Sequence, residues 1–150
     1  MLGIDEHAPA VVLFAQDGEV FDVGAPGQHL VVFFIEDATG ARSVSMAGDF
    51  NDQLFGFKQM GVQVIGVSID RPAVIVAFAA SYDLRYPLVS DADRTVCLAF
   101  GMVGTRRGRP RAATFMIDRS GLVKQIFAEV PPYGHARDVL NEAEVLWGGY

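Results

Sequence analysis

The side chains best placed to do chemistry sit in one short run, Glu36-Asp37-Ala38-Thr39-Gly40-Ala41-Arg42-Ser43. A serine hydroxyl becomes a nucleophile only beside a general base. The carboxylates near Ser43 in sequence are Glu36 and Asp37, and no histidine is close. As an enzyme site the run would use Ser43, Thr39 and Glu36, with Arg111 as a further polar group. The plainer role for Ser43 is a helix N-cap, because serine is preferred there and a helical pattern begins at this point. Arg42 is unusual at a helix start, where the macrodipole favours anions. Arg42, Ser43, the free helix N–H groups and Arg111 could therefore hold a small anion. The alternative is an exposed Arg42 paired with Glu36 or Asp37.

Other candidates carry less. Cys97 is the only cysteine and lies in the apolar run Thr95-Val96-Cys97-Leu98-Ala99-Phe100. It reads as a buried structural cysteine behaving as a small hydrophobe. His7, His29 and His135 lack metal-ligand spacing, so no metal site is expected. No Gly-rich phosphate loop or nucleotide fingerprint is present, and no cofactor is implied. The basic run Arg106, Arg107, Arg109 and Arg111 reads as a solvated loop. Trp147 and Tyr150 flank Gly148-Gly149 in a tail that can dock or fray.

The 150 residues fit one compact domain, 1–150, and are 51% hydrophobic, which excludes a disordered chain. No run of eighteen apolar residues predicts a membrane span. The acidic start MLGIDEHAPA is not a signal sequence. One cysteine excludes an internal disulfide and fits a reducing compartment, so a cytoplasmic location is expected. A net charge of −6 gives no general pull toward nucleic acid.

The elements that must position these residues follow from apolar spacing. Val11 to Phe14 and Glu19 to Val23 flank Gln16-Asp17-Gly18, a hairpin signal. Leu30 to Ile35 is a continuous apolar run, as in a central strand covered on both faces. A helix is expected from about Ser43 to Met60, with Met46, Phe50, Leu54 and Phe57 on one face and Gly61 ending it. Val62 to Ser68 is a second buried strand. Asp70 can cap a helix with Pro72 in its first turn, running to about Tyr82. Tyr86 to Val89 is extended, and Asp91 or Asp93 starts a short helix through Phe100. Residues 104–112 form a polar loop. Ala113 to Ile117 and Leu122 to Glu129 make a hairpin, and a last helix runs from about His135 to Leu146. The order predicts an α/β fold with a mixed central sheet and helices on both faces.

This order resembles the thioredoxin-fold peroxiredoxins of the alkyl hydroperoxide reductase/thiol-specific antioxidant superfamily, a three-layer sandwich. The resemblance rests on Ala8-Pro9 with Asp17-Gly18, and on Gln28-His29-Leu30-Val31-Val32-Phe33-Phe34. It continues through Gly66-Val67-Ser68-Ile69-Asp70 and Tyr86-Pro87-Leu88-Val89-Ser90-Asp91 with Val96 and Phe100-Gly101. Thr114-Phe115-Met116-Ile117-Asp118 with Gly121 follows. Gly134-His135-Ala136 with Val139-Leu140 is similar to the bacterioferritin-comigratory branch.

The resemblance implies oxidoreductase and antioxidant activity. In that family a Pro-x-x-x-Thr-x-x-Cys turn places a thiolate at a helix N-terminus, helped by an arginine from a distant strand. Counting back from Asp49-Phe50-Asn51-Asp52, the cysteine slot falls on Ser43. Counting forward from Phe33-Phe34 through Thr39-Gly40, it falls on Arg42. The proline slot is Glu36 or Ile35, and Thr39 matches the threonine only in the Arg42 register. The slot of a second cysteine is Gly48, and the arginine slot is Ala112, beside Arg111. A hydroxyl cannot cycle through a sulfenic acid. The expectation is a peroxiredoxin-like monomer or homodimer that binds a small anionic ligand or a protein partner. A repurposed enzyme in the old pocket is one alternative. An oxidoreductase working through Cys97 is the other.

Overall fold

A computed structural model describes residues 2–102, 109–131 and 133–148. Arg106, Arg107 and Tyr150 lie outside the described residues. The strands are β1 (Val12–Phe14), β2 (Val20–Asp22), β3 (His29–Phe34), β4 (Val62–Ser68), β5 (Leu88–Ser90), β6 (Ala113–Ile117) and β7 (Val123–Phe127). The helices are α1 (Ala41–Asp52), α2 (Leu54–Gln59), α3 (Pro72–Ser81), α4 (Thr95–Ala99) and α5 (His135–Trp147).

Five strands form one mixed sheet in the order β5-β4-β3-β6-β7. β3, β4 and β5 run parallel, as expected for strands joined by helical crossovers, while β6 and β7 add antiparallel pairs. The β1–β2 hairpin is a separate sheet attached through a bridge between Ala15 and Val89. β3 is central and buried on both faces, so its alternate residues enter two cores. Val31 and Phe33 pack with Phe50, Phe57, Ile75 and Val139 of α1, α2, α3 and α5. Leu30, Val32 and Phe34 pack with the hairpin and with α4 around Phe100. This is the thioredoxin-like sandwich.

Two local expectations change. The helix predicted over 43–60 begins at Ala41 and divides at Gln53. There one N–H is shared between the Asp49 and Phe50 carbonyls, at 3.2 and 3.1 Å, which tightens the turn. Met46, Phe50, Leu54 and Phe57 still share the buried face. Asp70 does not cap α3: the N-cap is Arg71, without a side-chain hydrogen bond. The Asp91 expectation holds better. Its two carboxylate oxygens accept the Val96 and Cys97 N–H groups at 2.9 and 2.8 Å, anchoring the start of α4.

Candidate functional site

β3 delivers the chain to the turn at 36–40, whose backbone groups are satisfied partly within the turn and partly by side chains remote in sequence. Asp37 Oδ1 accepts from the Thr39 N–H at 2.9 Å and from the Thr39 hydroxyl at 2.7 Å. These bonds hold the Asp37 carboxyl below its usual range and make it a weak base. The Gly40 N–H closes on the Asp37 carbonyl at 3.0 Å. Gly40 is the N-cap of α1 and has no side chain with which to cap it.

Ser43 is therefore not the N-cap. It lies in the first turn of α1, buried, and its Oγ accepts the Asp37 N–H at 3.3 Å. Its role is to tie the helix start back to the turn. Among the described residues no carboxylate is hydrogen-bonded to this hydroxyl, so the geometry does not assemble a serine nucleophile with a base.

Arg42 also departs from expectation. Its guanidinium does not pair with Glu36 or Asp37. It crosses to the segment after β7 and donates from Nη2 to the Val130 carbonyl at 3.3 Å. That segment forms the far wall of a pocket of about 430 Å³. Glu36, Arg42, Ser43 and Arg111 line it together, with Met46 and Val130 as apolar wall. Arg42 and Arg111 are both exposed. The fold thus brings the turn to the residues leading into β6. Thr39 is not part of this pocket. It lines a second hollow, against Val74 and Phe78 of α3.

Two residues that contact the turn beside the pocket have partners that the sequence did not signal. Arg109 donates from Nη1 to the Glu36 carbonyl at 2.9 Å and pairs with Asp70 at 3.4 Å. Both residues were visible in the sequence, but one read as a cap and the other as part of a solvated loop. Val130 gave no signal, because a carbonyl acceptor is available at every residue.

Cys97 lies on the opposite side of the sheet from α1, in the core built around Phe34 and Phe100. Burial, then the neighbouring Asp91 carboxylate, push its thiol up to about 12. It is a buried cysteine whose surroundings disfavour the thiolate. Among the described residues no group of three or more His, Cys, Asp or Glu is placed to hold a metal. No helix among them is long and apolar enough to cross a membrane. His7 bonds the neighbouring Ala8 carbonyl. His29 stacks on Trp147, the last residue of α5, at 4.3 Å, which ties the end of that helix to the start of β3. His135 is buried, with Nε2 hydrogen-bonded to Thr114 Oγ1 at 2.7 Å.

Comparison with known proteins agrees with this architecture. The AhpC/TSA family model matches residues 4–126. Peroxiredoxin Bcp of Escherichia coli is 30% identical over 141 residues, covering 89% of this chain and 90% of that protein. A putative peroxiredoxin of Mycobacterium tuberculosis is 29% identical over 147 residues, covering 93% and 94%. Among solved structures, the bacterioferritin comigratory protein of Xanthomonas campestris superposes with a TM-score of 0.85 and 26% identity, covering 97% of this chain and 98% of that one. A cysteine-to-serine mutant of PrxQ from Xylella fastidiosa reaches 0.89 at 25% identity, with the same coverage.

Proposed function

The chain belongs to the AhpC/TSA family, and from that premise we propose that it has given up thiol peroxidase chemistry and binds a small anion in the pocket between Arg42 and Arg111. One observation carries the reading. The strand-to-helix turn offers Arg42 and Ser43 where the family resemblance puts a thiolate, and the same pocket receives Arg111. α1 adds partial positive charge at this end, since its first turn contains no acidic residue and its N-cap is a glycine. Glu36, Asp37 and Glu129 also line the pocket. Their charge opposes any anion, most strongly a highly charged one, so the ligand that fits this reading is small and engages the two arginines and the helix start directly. Peroxide reduction needs a sulfur that can be oxidised and regenerated. The lone thiol, on the far side of the sheet and protonated at neutral pH, is a poor candidate for that role.

Titration calorimetry with phosphate, sulfate and small carboxylates tests the proposal. Arg111→Ala should weaken binding by about 1.5–3 kcal/mol, the range for a charge-assisted hydrogen bond. Turnover of hydrogen peroxide with a dithiol or thioredoxin, abolished by Cys97→Ser, would overturn it. So would failure of every anion to bind.

A further inference from the structure

Asp70 does not line the arginine pocket, yet its carboxylate reaches both segments that form its cationic walls. Oδ2 accepts the Ala38 N–H at 2.9 Å and the Ser68 hydroxyl. Oδ1 lies 3.4 Å from both terminal nitrogens of Arg109. Arg109 in turn donates to the Glu36 carbonyl. One carboxylate thus joins the end of β4, the turn before α1 and the segment entering β6. Its own carbonyl accepts the Ser90 hydroxyl at 2.6 Å, which fixes its backbone to β5. The side chain of Asp70 is 9% exposed and that of Arg109 is 37% exposed. A fork-shaped guanidinium therefore closes over a buried anchor.

Arg111 follows Arg109 by two residues, and Ala38 lies between Glu36 and Arg42 in the turn. The clamp therefore grips the chain within a few residues of each arginine of the pocket without being either of them. Hydrogen bonds are best at about 2.7–3.2 Å and near linear, so at 3.4 Å the Arg109–Asp70 contact acts chiefly as an ion pair beside the shorter bonds to Ala38 and Glu36. An anion shared by two arginines on separate segments needs their separation held.

We propose that Asp70 is a positioning residue for this pocket: with Arg109 it sets the separation of the Arg42 turn and the Arg111 segment, so that one anion can engage both. The proposal rests on the anion-binding reading above, and its test separates the two. Inorganic phosphate is titrated into wild type, Asp70→Asn, Arg109→Gln and the double variant, with melting temperatures and amide NMR spectra recorded for each. Each single variant should weaken phosphate roughly tenfold, and the double variant no more than the weaker single, because both remove one clamp. A purely structural role would lower the melting temperature and leave the affinity of the folded protein unchanged. Unchanged phosphate affinity in a folded single variant overturns the proposal. If Asp70→Asn fails to fold, the half-exposed Arg109→Gln carries the same reading. If wild type takes no phosphate, the anion reading fails by itself, and the clamp is judged on the amides. The variants should then still shift the signals of Arg42, Ser43 and Arg111. Shifts confined to residues in direct contact with the substitution would overturn the clamp as well.

Discussion

Ser43 shows how a residue expected at a helix N-cap can lie inside the first turn instead. Serine before an apolar helical pattern signals an N-cap, but here the hydroxyl points back to the Asp37 N–H from within the helix. That bond depends on a turn between residues far enough apart that no local pattern encodes it. The site nonetheless keeps the electrostatics of a helix start beside arginines. A thiol introduced there should feel them. Ser43→Cys, or Arg42→Cys for the other register, should react with iodoacetamide with an apparent pKa below the usual value of about 8.5. A value at or above that in both variants would show that this turn does not stabilise an anion. His135 links stability to pH through its burial. Burial pushes it down to about 4 from an ordinary 6.5. The unfolded chain therefore binds the extra proton between those values. The stabilisation is complete above pH 6.5 and is lost as pH falls toward 4, by at most about 3 kcal/mol. Urea melts at pH 7 and pH 4.5 should show a larger loss for wild type than for His135→Gln.

At the scale of elements, the sequence signals were strongest where burial is greatest. β4 and β6 occupy the expected residues, because a strand covered on both faces is apolar throughout and bounded by polar turns. The division of the long helix at Gln53 was not legible. Its apolar spacing runs through the break unchanged, and only the hydrogen-bond pattern reveals it. Asp70 was illegible for a related reason: an aspartate before proline signals a cap, whereas its partners Ala38 and Arg109 are remote in sequence. The apolar face common to α1 and α2 sets a clear expectation. Phe50 is fully buried and stacks on Phe33 at 4.3 Å, while Phe55 is 73% exposed. Phe50→Ala should cost about 3–5 kcal/mol in chemical denaturation. Phe55→Ala should stay within about 0.5 kcal/mol. Equal effects would mean that the α1–α2 face is not the one packed on the sheet.

The whole molecule has two cores separated by the sheet, and its chemistry-bearing groups divide accordingly. The arginine pocket lies at the α1 side, and the thiol lies across the sheet near α4. The sequence could name both sets of residues but could not say that a sheet stood between them. That separation has a consequence for how the protein ages. Cys97 is 4% exposed and is the sole thiol in the chain. Two folded molecules cannot bring their sulfurs within the approximately 2 Å of a disulfide bond. Covalent dimers in an oxidised sample must therefore come from molecules that had opened, and their yield over time counts those openings. The chain carries its own clock for exposure of the core behind its sheet.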